Sequence, residues 1–363
     1  MLFKVREVVE MGLFKTVCME SEIIHPALSV IVPCYNVEPY LDRSLGCLER
    51  QWGNHEDYEI ILVNDASVDA TLAKLQAFKV KYPNHVTVVD KPQNEGVAAA
   101  RNSALDLARG EWIAFMDPDD ALAEGAYGYL IDHCQAGDFD LLAFCRKDVE
   151  LGDGIAVSDY ELPLTYQVMW EGCGTDYLQK NHIGLKYGGP SVRLYKKSII
   201  DRHHLRFKAF SIAEDILFNI EYLLADGIKV RKVDTVVYFY VKRLGSLSRT
   251  SHCSKLVQDI KEYMAQIEYL YDFSMSKENA VELFQLIKES VLQYYVPAIA
   301  VRLLKVNLPI REVNRIRKRL VSLGLFPYPE KALDYKILNE AILYPWLMPL
   351  LHLLYRCRSA IRK

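Results

Sequence analysis

Acidic residues crowd the end of one apolar segment. Asp117, Asp119 and Asp120 place three carboxylates within four residues, directly after the run WIAFM. Like charges this close raise one another's pKa unless a cation or hydrogen-bond donors compensate. Mg²⁺ and Mn²⁺ prefer oxygen ligands and are usually held by one or two carboxylates together with substrate phosphates. The cluster therefore predicts a divalent cation beside a phosphate-bearing substrate; the alternative is a helix N-cap cluster before ALAEGAYGYL.

The segments around this cluster repeat one pattern. Apolar, β-branched runs alternate with helix-patterned stretches, and each run has the composition of a strand buried on both faces of a parallel sheet. The runs cover residues 28–33, 58–63, 86–91 and 112–116. This alternation of strand and helix is a βαβ signature, so the sequence predicts an α/β fold.

Polar residues follow every one of these runs. Open α/β sheets bind ligands at the carboxyl ends of their strands, so these polar segments should line one crevice. The segments are 33–36, 64–69, 94–102 and 117–120. The first strand-to-helix turn contains no glycine, which excludes a P-loop or a Rossmann dinucleotide turn at this position.

Five segments, in this order, resemble the family 2 glycosyltransferases of the GT-A fold. They are LSVIVPCYNVEPYLDRSLGCL, IILVNDASVDAT, DKPQNEGVAAARNSALDLARGEWIAFMDPDD, AEDILFN and YFYVKRLGSLS. The resemblance covers about residues 28–250 and implies a Rossmann-like, mixed and mainly parallel sheet sandwiched by helices. It also implies an inverting, metal-dependent transfer of a sugar from a nucleotide-sugar in bacterial capsule or exopolysaccharide synthesis. A UDP-sugar is the first choice of donor.

The resemblance implies a set of donor-binding residues. Tyr35 is expected to pack on uracil and Asp65 to accept a hydrogen bond from it. Asp117 is expected to hold the ribose, and Asp119, with Asp117, to bind Mn²⁺ or Mg²⁺ at the diphosphate. The nucleotide-binding set is Pro33, Tyr35, Asn36, Asp65, Asn94, Arg101, Asp117, Arg243 and Ser246. The sequence departs from the family at Asn64, where an Asp is common, and at Ala66, where Gly is common.

The resemblance also implies the catalytic pair Glu214 and Asp215 at the start of AEDILFNIEYLL. Asp215 is expected to be the general base, because an attacking hydroxyl needs a carboxylate opposite the leaving group to take its proton. The alternative for Asp215 is a helix N-cap without a catalytic role. Some relatives carry a histidine metal ligand where this chain has Leu244. Here the ligand is expected to be either water or another residue such as His252, and the alternative for His252 is an ordinary surface histidine.

The chain divides by charge and pattern. Its 363 residues, 51% of them hydrophobic, suit about two domains. We expect an N-terminal extension over residues 1–27, the GT-A domain over 28–250 and a helical region over 255–363. Residues 255–363 carry 17 Lys and Arg against 11 Asp and Glu, whereas the rest of the chain carries 27 against 36.

The C-terminal charge and an apolar segment predict contact with an anionic membrane surface. Ile337–Tyr355 is apolar but interrupted by two prolines, and Arg-rich segments flank it. Such a segment suits a membrane interface better than a membrane span. The alternatives are that its leucines pack on the helices of 255–330, or that the charges are solvated.

Cellular location is indicated by the cysteines and the N-terminus. The eight cysteines are scattered without C-x-x-C pairs, as expected of buried thiols in a reducing compartment. The N-terminus lacks the apolar core of a secretory signal, and Met19 is a possible natural start. We therefore expect a cytoplasmic protein, peripheral at the inner face of the plasma membrane.

Three other function classes compete with a transferase. A sugar-nucleotide pyrophosphorylase would need a glycine-rich, basic first turn, which CYNVEPY is not. A nucleic-acid binder would show a motif with interleaved aromatic residues, and none is present. A catalytically silent scaffold in a polysaccharide-assembly complex is the main alternative, although it predicts the loss of acidic residues that are here retained.

Overall fold

The computed structural model describes residues 26–51, 58–150, 161–180, 189–242, 252–306 and 308–326. The strands are β1 (Leu28–Cys34), β2 (Tyr58–Asn64), β3 (Val86–Asp90), β4 (Trp112–Phe115), β5 (Ala121–Leu122), β6 (Leu141–Glu150), β7 (Val168–Cys173), β8 (Arg193–Lys196) and β9 (Lys229–Lys242). The helices are α1 (Glu38–Glu49), α2 (Thr71–Lys81), α3 (Val97–Leu105), α4 (Ala126–Gln135), α5 (Gly174–Lys180), α6 (Lys197–Arg202), α7 (Glu214–Leu223), α8 (Cys253–Met275), α9 (Ala280–Leu303) and α10 (Ile310–Ser322).

One mixed sheet organises the described part of the chain. Its strand order is β3-β2-β1-β4-β8-β6-β9-β5, and β7 pairs with β9. Strands β3, β2, β1 and β4 are parallel, β8 is antiparallel to both β4 and β6, and β6 is parallel to β9. Most strands therefore run in one direction, and the α/β, mainly parallel fold class is confirmed.

Helices cover both faces of the sheet, because the strands present apolar side chains on both. Every residue of β1 and β2 is buried, and neighbours alternate between the two cores. Val30 and Val32 pack with α1, α2 and α4, while Ile31 packs in the core that includes α3 and α7. This second core continues into α8, α9 and α10 through residues such as Ile267 and Ile299.

The region between β6 and β8 contains more regular structure than its sequence suggests. The sequence of residues 151–189 shows no clear hydrophobic period, yet β7 and α5 form within it. Strand β7 is an edge strand with mostly exposed residues, and α5 has seven residues. Neither element is long or apolar enough to give a clear hydrophobic period.

The cysteines in the described residues are free thiols. Cys34, Cys47 and Cys134 are buried, as predicted, but Cys173 and Cys253 are exposed. The expectation of uniformly buried thiols was therefore wrong, because Cys173 ends the edge strand β7 and Cys253 begins α8.

Several expected features lie outside the described residues. These are residues 1–25, the nucleotide-binding candidates Arg243 and Ser246 with Leu244 between them, and the apolar segment Ile337–Tyr355 with its last basic flank. None of the helices in the described ranges has the length and apolar character needed to cross a bilayer.

Candidate active site

The parallel register brings the polar strand ends to one edge of the sheet. Cys34 at the end of β1 pairs with Asn64 at the end of β2, and Ile31 of β1 pairs with Phe115 of β4. The residues that follow these strands therefore meet at the same edge. Asp65 and Asp117 are among them.

The turn after β1 presents an aromatic ring to solvent. Tyr35 is 46% exposed, so its ring is open to packing by a flat ligand. The next residue, Asn36, has a φ of 50° and ties the turn to the end of β2. Its backbone N–H donates to Ser67 Oγ at 3.0 Å, and its Oδ1 accepts from the Val68 N–H at 2.9 Å. Pro33 lies buried in β1 beneath this turn.

The carboxylate of Asp65 organises the loop before α3. It is 2% exposed and accepts hydrogen bonds from the backbone N–H of Glu95 at 3.1 Å and of Gly96 at 2.8 Å. Asn94 Oδ1 also accepts from Gly96 N–H, at 3.2 Å. Gly96 has a φ of 88°, a backbone conformation that favours glycine. Asp65 therefore fixes the segment that leads into α3.

Both departures from the family pattern at the end of β2 have a local explanation. The buried Asn64 side chain donates to Asp90 Oδ1 at 2.7 Å and accepts from the Ser67 N–H at 3.2 Å. An aspartate at 64 would set two carboxylates against each other. Ala66 has a φ of 57°, the left-handed conformation that a glycine adopts at lower cost.

Arg101 joins the two acidic motifs. Its guanidinium is buried and donates to Glu214 Oε1 at 2.7 Å and to Asp117 Oδ1 at 3.3 Å. It also lies over the Phe207 ring, 5.1 Å from the ring centroid. The neighbouring Asn102 exchanges two hydrogen bonds with the Phe207 backbone. Asn102 therefore anchors the loop that carries the Phe207 ring.

The three aspartates after β4 occupy different environments. Asp120 is buried and accepts hydrogen bonds from the Tyr238 hydroxyl at 2.6 Å and the Val241 N–H at 2.9 Å. Asp117 and Asp119 are partly exposed. Asp120 leads into β5, and the following helix begins only at Ala126. The N-cap alternative for this cluster was therefore wrong.

Burial raises the pKa of both Asp117 and Asp120. Desolvation, followed by the charge of Asp117, raises the pKa of Asp120 to about 8. Desolvation also raises the pKa of Asp117; Arg101 opposes that shift, and the charges of Asp119 and Glu214 add to it. A second cation near Asp117 would relieve this repulsion.

Asp215 sits in the first turn of α7, after a strained residue. The preceding Ala213 has a φ of 57° and forms the N-cap without a side-chain hydrogen bond, so Asp215 is not the N-cap. Asp215 Oδ1 accepts from the Ile216 N–H at 2.9 Å. Desolvation raises the pKa of Asp215, and the positive charges of Arg101 and Arg193 oppose it. A raised pKa makes this carboxylate a stronger base.

The second oxygen of Asp215 borders a glycine. A Cβ atom placed on Gly189 would lie 3.3 Å from Asp215 Oδ2. The buried Arg193 holds this glycine in place by donating from Nη1 to the Gly189 carbonyl at 2.7 Å. We did not predict either residue from the sequence. The pair GG before the β8 run was the only available signal.

The carboxylates at this edge suit a divalent cation whose coordination is completed by a bound substrate. Among the residues described, no group of three or more His, Cys, Asp or Glu side chains is placed to hold a metal ion. Asp117 and Asp119 supply two carboxylates, and Mg²⁺ or Mn²⁺ is commonly bound by one or two carboxylates plus phosphate oxygens. His252 is exposed and immediately precedes α8, which agrees with the surface-histidine alternative.

Sequence comparisons identify the relatives of this chain. The family model described as Glycosyl transferase family 2 matches residues 29–203. TarP of Staphylococcus aureus, a poly(ribitol-phosphate) beta-N-acetylglucosaminyltransferase, is 30% identical over 246 residues, which cover 67% of this chain and 71% of TarP.

Solved structures share the fold. TarS of S. aureus aligns with a TM-score of 0.58 at 20% identity over 90% of this chain and 52% of that longer chain. Its residues 1–349, in complex with UDP-GlcNAc, give a TM-score of 0.56 at 20% identity and cover 86% of this chain and 90% of that one.

A more distant structure has the same architecture. A mannosyltransferase of Pyrobaculum calidifontis, in complex with GDP-Man and Mn²⁺, gives a TM-score of 0.51 at 15% identity, covering 91% of this chain and 88% of that one. The similarity to TarP extends over most of both chains, and the fold matches GT-A structures. The chain therefore belongs to glycosyl transferase family 2 and is a glycosyltransferase.

Proposed function

We propose that this glycosyltransferase moves a sugar from a UDP-sugar to a saccharide or lipid-linked saccharide acceptor, with inversion at the anomeric carbon. The observation that carries the proposal is the contact of Arg101 with Asp117 on one side and with Glu214 on the other. This contact joins the strand-end crevice, where a donor would lie, to the helix turn that carries Asp215.

The donor side is the edge formed by the turns after β1, β2 and β4. Tyr35 would pack on the base, Asp65 would face it while holding the loop before α3, and Asp117 would contact the ribose. Base stacking on an aromatic ring is worth about 1–3 kcal/mol in nucleic-acid sites. UDP is preferred because TarS binds UDP and UDP-GlcNAc; the mannosyltransferase complex makes GDP the alternative.

Asp215 would act as the general base. The acceptor hydroxyl gives its proton to Asp215 Oδ2, its oxygen bonds to the anomeric carbon, and the bond from that carbon to the diphosphate oxygen breaks with its electron pair leaving on the diphosphate. This single displacement converts an α-linked donor into a β-glycoside. Glu214 is paired with Arg101 and holds the start of α7 in place.

A divalent cation, Mn²⁺ or Mg²⁺, would be held by Asp117 and Asp119 and would neutralise the departing diphosphate. The two partly exposed carboxylates leave coordination positions for phosphate oxygens. Arg243 and Ser246 remain candidates for contacts with the same diphosphate.

The acceptor and the place of action are further parts of the proposal. TarP acts on poly(ribitol-phosphate), as its name states, which supports a cell-surface polymer as acceptor. In α10, Val313 and Leu320 are buried while Arg311 and Arg315 are 86% and 77% exposed. This basic face supports peripheral binding to the inner face of the plasma membrane.

Nucleotide binding tests the proposed donor. UDP, GDP, CDP and dTDP are added with Mn²⁺ or with EDTA to the wild type and to Asp119→Ala, and thermal unfolding is followed. A ligand at 100 times its Kd adds about 2.7 kcal/mol of stability. We expect UDP with Mn²⁺ to raise the Tm by several degrees in the wild type alone. Absence of a shift with all four nucleotides would contradict the proposal and favour a silent scaffold.

Vesicle binding tests the membrane contact. The wild type should sediment with vesicles of anionic phosphatidylglycerol at low salt and remain free of vesicles of phosphatidylcholine. Arg311→Glu/Arg315→Glu should weaken binding, whereas Lys79→Glu on α2 is the surface-charge control. Equal binding of all three proteins to anionic vesicles would contradict a role for this face of α10.

A further inference from the structure

Two side chains of α8 hold the segment that leads into the catalytic pair. Glu262 Oε2 accepts from the Ser211 backbone N–H at 2.8 Å, and its Oε1 accepts from the Ser211 hydroxyl at 2.9 Å. One turn further along α8, Gln266 Nε2 donates to the Ile212 carbonyl at 2.6 Å. We call Glu262 and Gln266 the α8 clamp. It is hydrogen-bonded to two consecutive residues of the segment that precedes α7.

The clamped segment ends in a conformation that needs external support. Ala213 follows Ile212 directly and has a φ of 57°. Non-glycine residues rarely adopt this left-handed region, and such residues persist where the surrounding structure imposes them. Glu214 and Asp215 come next. The backbone angles at Ala213 therefore set the direction in which the Asp215 side chain projects from α7.

The burial of Gln266 indicates that its contact is specific. The residue is 0% exposed, and its amide donates to the Ile212 carbonyl from within the core of α8, α9 and α7. A polar side chain in such surroundings is costly unless it makes its hydrogen bond. An apolar residue would suit helix packing better, so packing alone does not account for a glutamine here.

Arg101 fixes the same turn from the opposite side. It reaches Glu214 from α3, while the α8 clamp holds residues 211 and 212 from the C-terminal helices. The start of α7 is therefore held by groups on both sides of Ala213.

We propose that Glu262 and Gln266 are positioning residues for the transfer. Through them, α8 orients the Asp215 carboxylate. This inference rests on the proposed role of Asp215 as base. Loss of the clamp should allow Ala213 to relax and should turn the carboxylate away from the acceptor hydroxyl. A displacement of about 1 Å in a catalytic group can lower a rate by about 100-fold.

The clamp contacts the segment before the base directly, whereas it reaches the donor side only through Glu214, Arg101 and Asp117. This difference gives the clamp a kinetic signature. Tyr35, Asp65 and Asp117 follow strands β1, β2 and β4. Among the described residues, none of these three is hydrogen-bonded to Glu262 or Gln266. The expected loss is therefore in kcat, with the UDP Kd and the donor KM unchanged. A purely structural weakening of the fold would lower donor affinity and rate together.

Four variants of α8 test the proposal in the 363-residue enzyme. Gln266→Met keeps the side-chain volume and removes the donor to Ile212. Glu262→Ala removes the acceptor for Ser211 at a half-buried site. Tyr269→Phe is the matched control, because it removes a hydrogen bond from α8 to Glu221 of α7 without touching residues 211–213.

We expect Gln266→Met and Glu262→Ala each to lower kcat by about tenfold or more, while UDP Kd stays within about twofold. Glu262→Gln, which keeps an acceptor for the Ser211 N–H, should recover part of the loss seen in Glu262→Ala. Wild-type kcat in Gln266→Met and Glu262→Ala, or an equal loss of kcat and UDP affinity, would overturn the inference. If Asp215→Asn had the kcat of the wild type, the proposed role of Asp215 as general base, on which this inference rests, would be overturned instead.

Discussion

Arg101 is the residue at which the two halves of the site meet. Its buried guanidinium contacts Glu214 and Asp117, which lie 113 and 16 residues away in the chain. The sequence placed Arg101 among the nucleotide contacts through its family resemblance. Its partners could not be predicted from the sequence, because a contact across 113 residues leaves no local pattern. Through these two carboxylates, Arg101 connects the proposed donor side with the helix turn that carries Asp215.

Gly189 tests whether Asp215 Oδ2 must be open to the acceptor. Its φ of −56° and ψ of 176° are accessible to alanine, so Gly189→Ala changes only the space beside the carboxylate. Because the new methyl group would lie 3.3 Å from Oδ2, we expect kcat to fall by about tenfold, with UDP Kd unchanged. Steady-state kinetics with titration calorimetry would measure both.

Gly46→Ala is the matched control for this substitution. Its added methyl group would lie 3.6 Å from Arg50 Nη1 within α1, an ordinary contact far from Asp215. It should keep wild-type kinetics. If Gly189→Ala were also fully active, the acceptor would have to approach Asp215 from another side.

Asp120 should make stability depend on pH. Its pKa is raised to about 8 in the folded protein, whereas an unfolded chain has a value near 3.9. The folded state therefore holds the proton more tightly, and the stability this contributes is present below pH 4 and lost as pH rises through 8. One such group adds a slope of at most about 1.4 kcal/mol per pH unit.

The variant Asp120→Asn should reduce this pH dependence. Its amide oxygen can still accept from the Val241 N–H, while the titrating group is removed. In EDTA, the free energy of unfolding of the wild type should fall more steeply between pH 5 and pH 8 than that of Asp120→Asn. Parallel profiles from urea unfolding at several pH values would show that Asp120 is ionised with an ordinary pKa.

At the scale of elements, the adjacent ends of β2 and β3 are matched by hydrogen bonding. Asn64 donates to Asp90 across this pair of strands, so Asn64→Asp would place two carboxylates together. We expect a loss of about 1–3 kcal/mol of stability at neutral pH, the usual cost of an unsatisfied buried group. Urea unfolding would measure the change.

An exchange of the two residues supplies the control. In Asn64→Asp/Asp90→Asn the amide and carboxylate trade places, and the donor can again meet an acceptor. We expect most of the stability to return. A double variant as unstable as the single one would mean that the cost comes from losing the Ser67 contact instead.

The elements were predictable to different degrees, for physical reasons. The runs that became β1, β2, β3 and β4 are apolar or β-branched over several residues, and the strand ends they predicted do meet at one edge. Strand β7 and helix α5 were not predicted, because an exposed edge strand and a helix of two turns show little hydrophobic periodicity. The α8 clamp was not predicted from the sequence, because its partners, residues 211 and 212, lie in an irregular segment.

At the scale of the whole molecule, the sheet and the C-terminal helices share one core. Buried residues of α8 and α9, among them Tyr263 and Tyr295, belong to the same apolar cluster as Ile31 of β1 and Leu217 of α7. The sequence pattern divides the chain near residue 250. Charge and composition reveal a change in surface, but they do not reveal which buried faces touch.

This shared core predicts cooperative unfolding of the described elements. In urea, helix content by circular dichroism and slow amide exchange in β1 and in α9 should be lost at one midpoint. Stabilisation by UDP with Mn²⁺ should move both probes together. Two separate midpoints, with α9 opening first, would show that the helical region is an independent unit.

The kinetics of Asp215→Asn test most directly whether Asp215 is the general base. Asparagine keeps the size of the side chain and removes its ability to take a proton, and a general base contributes about 10²–10⁴-fold to a rate. We predict a fall in kcat of about 100-fold or more with a UDP Kd within about twofold of the wild type. A kcat within tenfold of the wild type at the same affinity would contradict the assignment of Asp215 as the base.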